Sequence, residues 1–453
     1  MSPRSFRVPF VAALAVSGCL SSLGSASAET LTYGPFLARG VTPDTMIVRW
    51  GTTGAGDPTT LKLRQKGQTA FMLQAGAAAR DHEVLVSGLK PSTIYEYSVE
   101  SGTARSQTFS FATCPAVGDK LPLDLVFYGD SRDGATAHAR LLDEVKKRAP
   151  DMVFESGDIA PSGGYTQYLA EFFPATRDLF ASVPFMAAPG NHDATSPYGG
   201  NYGSIFPSPR AKSDSQPWTP YYSIVCGNSQ FIALDSNEVQ DSDQNTFLEQ
   251  SLSQARKSFD IQHVFVWFHH APYSPGSHGD DNRVIAKWVP LFRDPKNKVS
   301  AVFSGHDHVY ARMSDGSDVL YVVSGGAGAP LYSDSKASRA TKVVSKSAYN
   351  FVALRVTDLT VSGVAYNDMG IEIDRFSITK PRIEPPPGGD GGGMMPKDDG
   401  MDPLPKMGGE GGCSFLGFGT GAGMQRTSTS VALLGSLGVL LCGAFLRRRQ
   451  RQG

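Results

Sequence analysis

LDLVFYGDSRDGATAHARLLDEVKKRAPDMVFESGD, residues 123–158, decides how the central part of this chain folds. An apolar run from Leu123 to Tyr128 ends in Gly129 and Asp130. An amphipathic segment, Ala137 to Arg148, follows, and a second apolar run begins at Met152 and leads through Gly157 into Asp158. Short apolar runs on either side of a helix-period segment read as strand, helix and parallel strand. A crossover of this kind returns the chain to the same sheet edge, so both strands finish side by side, each with an aspartate just beyond its end.

The pattern recurs downstream. Asn191 stands in GNHD, His269 follows VFVWF, and His306 and His308 stand in GHDH. Further amphipathic segments run from Gln244 to Lys257 and from Arg283 to Phe292. Oxygen and imidazole donors that converge from separate strand ends, with one carboxylate free to bridge, are what a pair of hard or borderline metal ions requires. The later strand-like runs VLYVVSGGAGAP, FVALRVT and VSGVAYN lie close together and suggest a second sheet packed on the first. Residues 121–380 thus read as an α/β (α+β) two-sheet sandwich.

Ahead of it, residues 29–115 contain MIVRW, TLKLRQ, HEVLVSGL, IYEYSVES and TFSFAT, separated by Gly, Pro and Asp turn signals, the pattern of an all-β sandwich. Tyr95 and Tyr97 read as core or corner tyrosines. Residues 1–28 have the form of an export signal: Arg4 and Arg7, an apolar stretch from Val8 to Leu20, and Ala26-Ser27-Ala28 before a mature start near Glu29. Val16-Ser17-Gly18 before Cys19 also allows a lipoprotein signal. Residues 381–426 include a Pro/Gly-rich linker, residues 427–446 are apolar enough to span a bilayer, and the tail 447–453 carries Arg447, Arg448, Arg449 and Arg451, which places it in the cytoplasm. With Cys19, Cys413 and Cys442 assigned to signals, Cys114 and Cys226 remain in the folded region, and the sequence leaves their pairing open. A net charge of −1 over 453 residues provides no basic field, so nucleic acid is not an expected partner.

Taken in order, Asp130, Asp158, GNHD from Gly190, HHAPYS from His269 and GHDH from Gly305 resemble calcineurin-like metallophosphoesterases, nearest to purple acid phosphatases. Leu89 to Val99 resembles the fibronectin type III-like domain that precedes purple acid phosphatase catalytic domains. The resemblance implies two metal ions, iron, zinc or manganese: Asp130 and His308 on the first, Asn191, His269 and His306 on the second, and Asp158 bridging both. His269 rather than His270 is implied by its position four before Tyr273. His192 and His278 match positions that face the substrate phosphate, where each can supply a proton, and Asp193 is expected to orient His192. His82, His138 and His263 are assigned no role.

Two positions depart from the pattern. Arg132 stands where many relatives place a histidine, and guanidinium cannot ligate a metal. Arg132 either clamps phosphate oxygens or makes an ion pair with Asp133. Pro161 stands where purple acid phosphatases place a metal-binding tyrosine, and nothing supports Tyr165 as its substitute, so the iron-loaded protein is expected to be colourless.

The reading that follows is an exported dinuclear-metal phosphatase that hydrolyses small phosphate monoesters by attack of a metal-activated hydroxide. A phosphodiesterase or nucleotide hydrolase on the same site and a non-catalytic surface binding protein are the alternatives; residues 194–218 and 274–283 carry no recognisable specificity signature. A G-x-S-x-G elbow, a dinucleotide fingerprint and a P-loop are all missing from the sequence. The linker, Cys413, the apolar span and the arginine cluster resemble the carboxyl-terminal sorting tail of myxobacterial surface proteins, which implies cleavage near Cys413; a plain tail anchor is the other reading. Either one places the enzyme outside the cytoplasm, attached through the tail or a processed lipid anchor at the cell surface or outer membrane, or released from it.

Overall fold

The computed structural model describes residues 30–194, 201–209 and 218–382. The expected export signal, apolar span and arginine tail lie outside them, as does Cys413. Among the described residues no helix is long and apolar enough to cross a membrane.

The amino-terminal region forms two antiparallel sheets. Tyr33–Arg39, Met46–Gly51 and Asp81–Val86 make one; Met72–Ala79, Asp57–Gln65, Ile94–Ser101 and Ala104–Arg105 make the other, with Phe109–Ala112 paired on Ile94–Ser101. Alternation along IYEYSVES buries Tyr95, Tyr97 and Val99 against Trp50, Leu61, Leu63 and Phe111. Tyr95 Oη accepts the Lys90 amide at 3.0 Å, a corner contact, whereas Tyr97 Oη donates to the Ala181 carbonyl of the following domain at 2.8 Å.

That following domain holds two mixed sheets face to face. The first orders its strands Phe185–Ala187, Met152–Glu155, Leu123–Tyr128, Asn350–Val356, Thr360–Asn367 and Glu372–Thr379, the first three parallel. The second runs Tyr222–Cys226, Ser229–Ala233, His263–His270, Val299–Gly305, Leu320–Ser324, Tyr310–Ser314 and Thr341–Lys346, parallel in its middle four. Between them Phe127 stacks on Phe154 and Phe303 at 4.4 and 3.9 Å, and Phe231, Phe265 and Trp267 fill the same layer. Central parallel strands are covered on both faces, which is why HVFVWF reads as a continuous apolar run rather than an alternating one.

Helices Ala135–Lys146 and Phe173–Phe180 cover the outer face of the first sheet, and Ser242–Lys257 covers the second. The segment expected to be one helix from Arg283 to Phe292 is two, Asn282–Lys287 and Val289–Arg293. Pro290 has no N–H for the Ala286 carbonyl and cannot continue the first helix, but it is tolerated in the first turn of a new one, so the chain re-nucleates after Trp288. A disulfide joins Cys114, at the exit of the amino-terminal sandwich, to Cys226 on the edge of the second sheet.

Candidate metal centre

The sheet edges bring the strand-end residues together. Tyr128 pairs with Glu155 and His270 with Gly305 in parallel register, so Asp130, Asp158, His269 and His306 leave neighbouring strands at the same level. Asp130, Asp158 and His306 adopt left-handed φ values of 63°, 59° and 68°. That conformation costs a non-glycine residue about 1 kcal/mol or more, and three cases in one cluster show turns shaped by where the side chains must point. The motif glycines let the backbones close in. A Cβ on Gly190 would lie 2.2 Å from Asp158 Oδ1, and one on Gly305 2.2 Å from Asp130 Oδ2.

Asp130, Asp158 and His269 offer ligand atoms all within 4.8 Å of one another, and all three are buried. His269 Nε2 lies 3.0 Å from Asn191 Oδ1, 3.2 Å from His306 Nδ1 and 3.3 Å from Asp158 Oδ1. Donors held about 2.0–2.1 Å from one ion stand roughly 3 Å apart, and the three spacings at His269 Nε2 are of that size. His308 Nε2 lies 3.4 Å from Asp130 Oδ1, whose distance to His269 Nε2 is 4.0 Å. Carbonyls fix the tautomers: His269 Nδ1 donates to Ser156 at 2.9 Å and His308 Nδ1 to Pro330 at 2.7 Å, which leaves both Nε2 atoms aimed inward.

The electrostatics ask for positive charge at the same place. Burial opposes a charge on His269, but Asp158 and Asp130 outweigh it and push its pKa up to about 9. Burial likewise opposes ionisation of Asp158, and His269 and His192 overcome it, holding the carboxyl far below the usual range. His306 is pushed down by burial and then by His269 and His270, so its ring keeps a lone pair. A donor set of two carboxylates, one amide and three imidazoles, tautomers set and charge unbalanced, fits a pair of metal ions.

His270 packs its ring 4.4 Å from that of His306 but bonds Nδ1 to Ser236 Oγ at 2.8 Å, and burial lowers its pKa to about 3. His192 is half-exposed; its Nδ1 bonds to the Pro161 carbonyl and its Nε2 lies 3.8 Å from Asp158 Oδ2. His278 is exposed at the mouth, its ring 3.9 Å from that of His306 and its amide on Asp307 Oδ1 at 2.8 Å. Arg132 makes the ion pair with Asp133 through Nη1, and its Nε lies 3.2 Å from Asp158 Oδ2, which places the guanidinium beside the cluster.

Asp193 does its orienting elsewhere than on His192. Its carboxylate takes the amides of Asp158 at 2.7 Å, Ile159 at 3.2 Å and Gly190 at 2.9 Å, and the Tyr168 hydroxyl at 2.9 Å, so it shapes the turn that carries Asp158. Tyr165 points away as well, its hydroxyl 2.5 Å from Asp81 Oδ1 in the amino-terminal sandwich. Three participants escaped the sequence reading. Tyr332 stacks on His308 at 4.1 Å, and Asp307 anchors the loop of His278. Glu155 is wholly buried behind the cluster, and burial, together with the charges of Asp193 and Asp130, raises its pKa well above the carboxylate range. Only Glu155 left a signal, a charged residue closing an apolar strand.

Residues 123–310 match the family model for calcineurin-like phosphoesterases, and residues 35–113 match that for the purple acid phosphatase N-terminal domain. Among curated proteins the chain is similar to probable inactive purple acid phosphatase 27 of Arabidopsis thaliana, 24% identical over 334 residues, covering 61% of this chain and 54% of that one. It is also similar to purple acid phosphatase 21 of the same plant, 26% identical over 279 residues, covering 57% and 60%. The chain thus spans little more than half the length of these relatives. In fold it is similar to a purple acid phosphatase from yellow lupin (Lupinus luteus) seeds, with a TM-score of 0.67 at 17% identity, covering 76% of this chain and 74% of that one.

Proposed function

Because the chain carries a calcineurin-like phosphoesterase domain behind a purple acid phosphatase N-terminal domain, we propose that it hydrolyses phosphate monoesters of small molecules outside the cytoplasm. The observation that carries the reading is the crowding around Asp158. One of its oxygens faces His269 and the other faces both Arg132 and His192, so ligands, a fixed cation and a proton donor meet at one carboxylate.

Bound at Asp130, Asp158, His308, Asn191, His269 and His306, two ions would supply Lewis acidity and an activated water. The side chains supply the rest. Arg132 presents a guanidinium that cannot lose its proton and offsets charge on phosphate oxygens. His192, held at Nδ1 by Pro161, offers Nε2 as the atom that protonates a departing alkoxide, and His278 can bind a terminal oxygen from the mouth. Three donors on one rim suit the terminal dianion of a monoester better than the single charge of a diester. Export is supported by the Cys114–Cys226 disulfide, a bond that persists in oxidising compartments.

The test is side-by-side hydrolysis of a nitrophenyl phosphate monoester and the corresponding diester by residues 29–380 supplemented with iron, zinc or manganese. Preferential monoester cleavage is expected; preferential diester cleavage would overturn the substrate class. No hydrolysis of either, with no ion retained, would favour a surface binding protein.

A further inference from the structure

Residues 159–168 connect the metal cluster to the amino-terminal sandwich. At the inner end the Pro161 carbonyl holds His192 Nδ1, and Tyr168 Oη reaches Asp193, which itself fixes the Asp158 amide. Between them Gln167 Oε1 accepts from the Ser162 amide at 3.1 Å, the Ser162 hydroxyl at 3.0 Å and the Gly164 amide at 3.0 Å, closing the segment into one turn. The outer end is tied to the other domain: Tyr165 Oη donates to Asp81 Oδ1 at 2.5 Å, and the Arg80 guanidinium lies 4.1 Å above the Tyr165 ring. Asp81 is fixed in turn by Arg80 Nη2 at 2.8 Å and by the Tyr33 hydroxyl at 3.1 Å.

We propose that Asp81 is a positioning residue for His192: by clasping Tyr165 it holds the turn whose Pro161 carbonyl sets which ring nitrogen of His192 faces the phosphate, so the amino-terminal domain is a working part of the catalytic site. The inference rests on the hydrolytic reading above. The clasp lies at the start of the strand Asp81–Val86, where its carboxylate turns toward the neighbouring domain rather than into the apolar interior of its own. A proton donor works only within hydrogen-bond reach of the leaving oxygen, and a shift of about 1 Å at its support costs rate without removing the group.

Leaving-group dependence separates this role from general support of the fold. A nitrophenolate departs without a proton, whereas an alkoxide needs one. Asp81→Ala and Tyr165→Phe are expected to lower kcat on glycerol phosphate by about tenfold or more, with nitrophenyl phosphate hydrolysis, KM and metal content close to wild type. The double variant should be no worse than either single one, and Asp81→Asn should recover most of the loss through its amide oxygen. Hydrogen–deuterium exchange should rise across 159–168 in Asp81→Ala and Tyr165→Phe. Equal losses on both esters, or no loss on either, would overturn the proposal, as would unchanged exchange. If the wild-type protein cleaves neither ester, the hydrolytic reading falls, and the exchange comparison alone decides the clasp.

Discussion

On the Asn191 side of Asp158 the donors are crowded; on the Asp130 side they thin out. Donor atoms of Asn191, His306 and Asp158 stand 3.0–3.3 Å from a common atom, His269 Nε2. The other pocket has Asp130, Asp158 and His308, with Arg132 where relatives place a histidine and Pro161 where purple acid phosphatases place a tyrosine. On the proposed ligand set, a fixed positive charge stands beside Asp158 where the resemblance expects a further protein ligand. Two consequences follow: the second ion should bind more tightly than the first, and substrate phosphate should help to hold the first in place.

The largest effect should come from breaking the crowded side. Asn191→Ala removes one of four donors and should lose the second ion and at least about a thousandfold in kcat, read by metal analysis of the purified protein together with turnover. Retention of two ions at full activity would mean that the pocket is not the one described. On the sparse side, Arg132→Ala should lower kcat by roughly a hundredfold with metal content unchanged. Near-normal turnover would make Arg132 only the counterion of Asp133. Arg132→His sharpens the contrast, since an imidazole there should tighten the first ion and narrow the gap between the two affinities.

A spectroscopic difference comes next. The colour of purple acid phosphatases depends on a tyrosinate ligand, and here Pro161 stands at that position while Tyr165 is bonded to Asp81. Iron-loaded protein should therefore show no visible charge-transfer band. Pro161→Tyr should introduce one, because the carbonyl that holds His192 belongs to the backbone and survives the substitution. A strong band in the unmodified protein would sink the assignment of the sparse pocket.

The residues that converge at the cluster were legible because strand ends announce themselves: an apolar run that stops at Gly-Asp or at His fixes both the element and the edge it reaches. The amino-terminal sandwich and its buried tyrosines were legible by alternation. What stayed hidden depends on contacts between distant backbones. Asp193 looked like a partner for its neighbour His192, yet it holds peptide N–H groups at Asp158 and Ile159, more than thirty residues earlier, and amide groups carry no sequence signature. The direction of Tyr165 depends on how two domains dock, and the pairing of Cys114 with Cys226 on a 5.2 Å Cα separation that only the fold creates. The break at Trp288 was available in Pro290 but was outweighed by periodicity.

The smallest expected effect concerns how two imidazoles of the cluster are covered. His306, on the crowded side, is flanked by His278 and His270 at 3.9 and 4.4 Å, whereas His308, on the sparse side, has the phenol ring of Tyr332 stacked on it at 4.1 Å. The Tyr332 amide also bonds to the His308 carbonyl at 3.0 Å, so ring and backbone together limit the motion of that ligand. An aromatic stack contributes about 0.5–1.5 kcal/mol beyond the area it buries. Tyr332→Leu keeps the backbone bond and most of the buried area but removes the stack. Affinity for the first ion should then fall by about 2- to 10-fold, with the second unchanged, as measured by competitive metal titration. Equal weakening of both ions would show that Tyr332 packs the mouth as a whole; selective weakening of the first would show a pocket short of ligands relying on the rigidity of those it has.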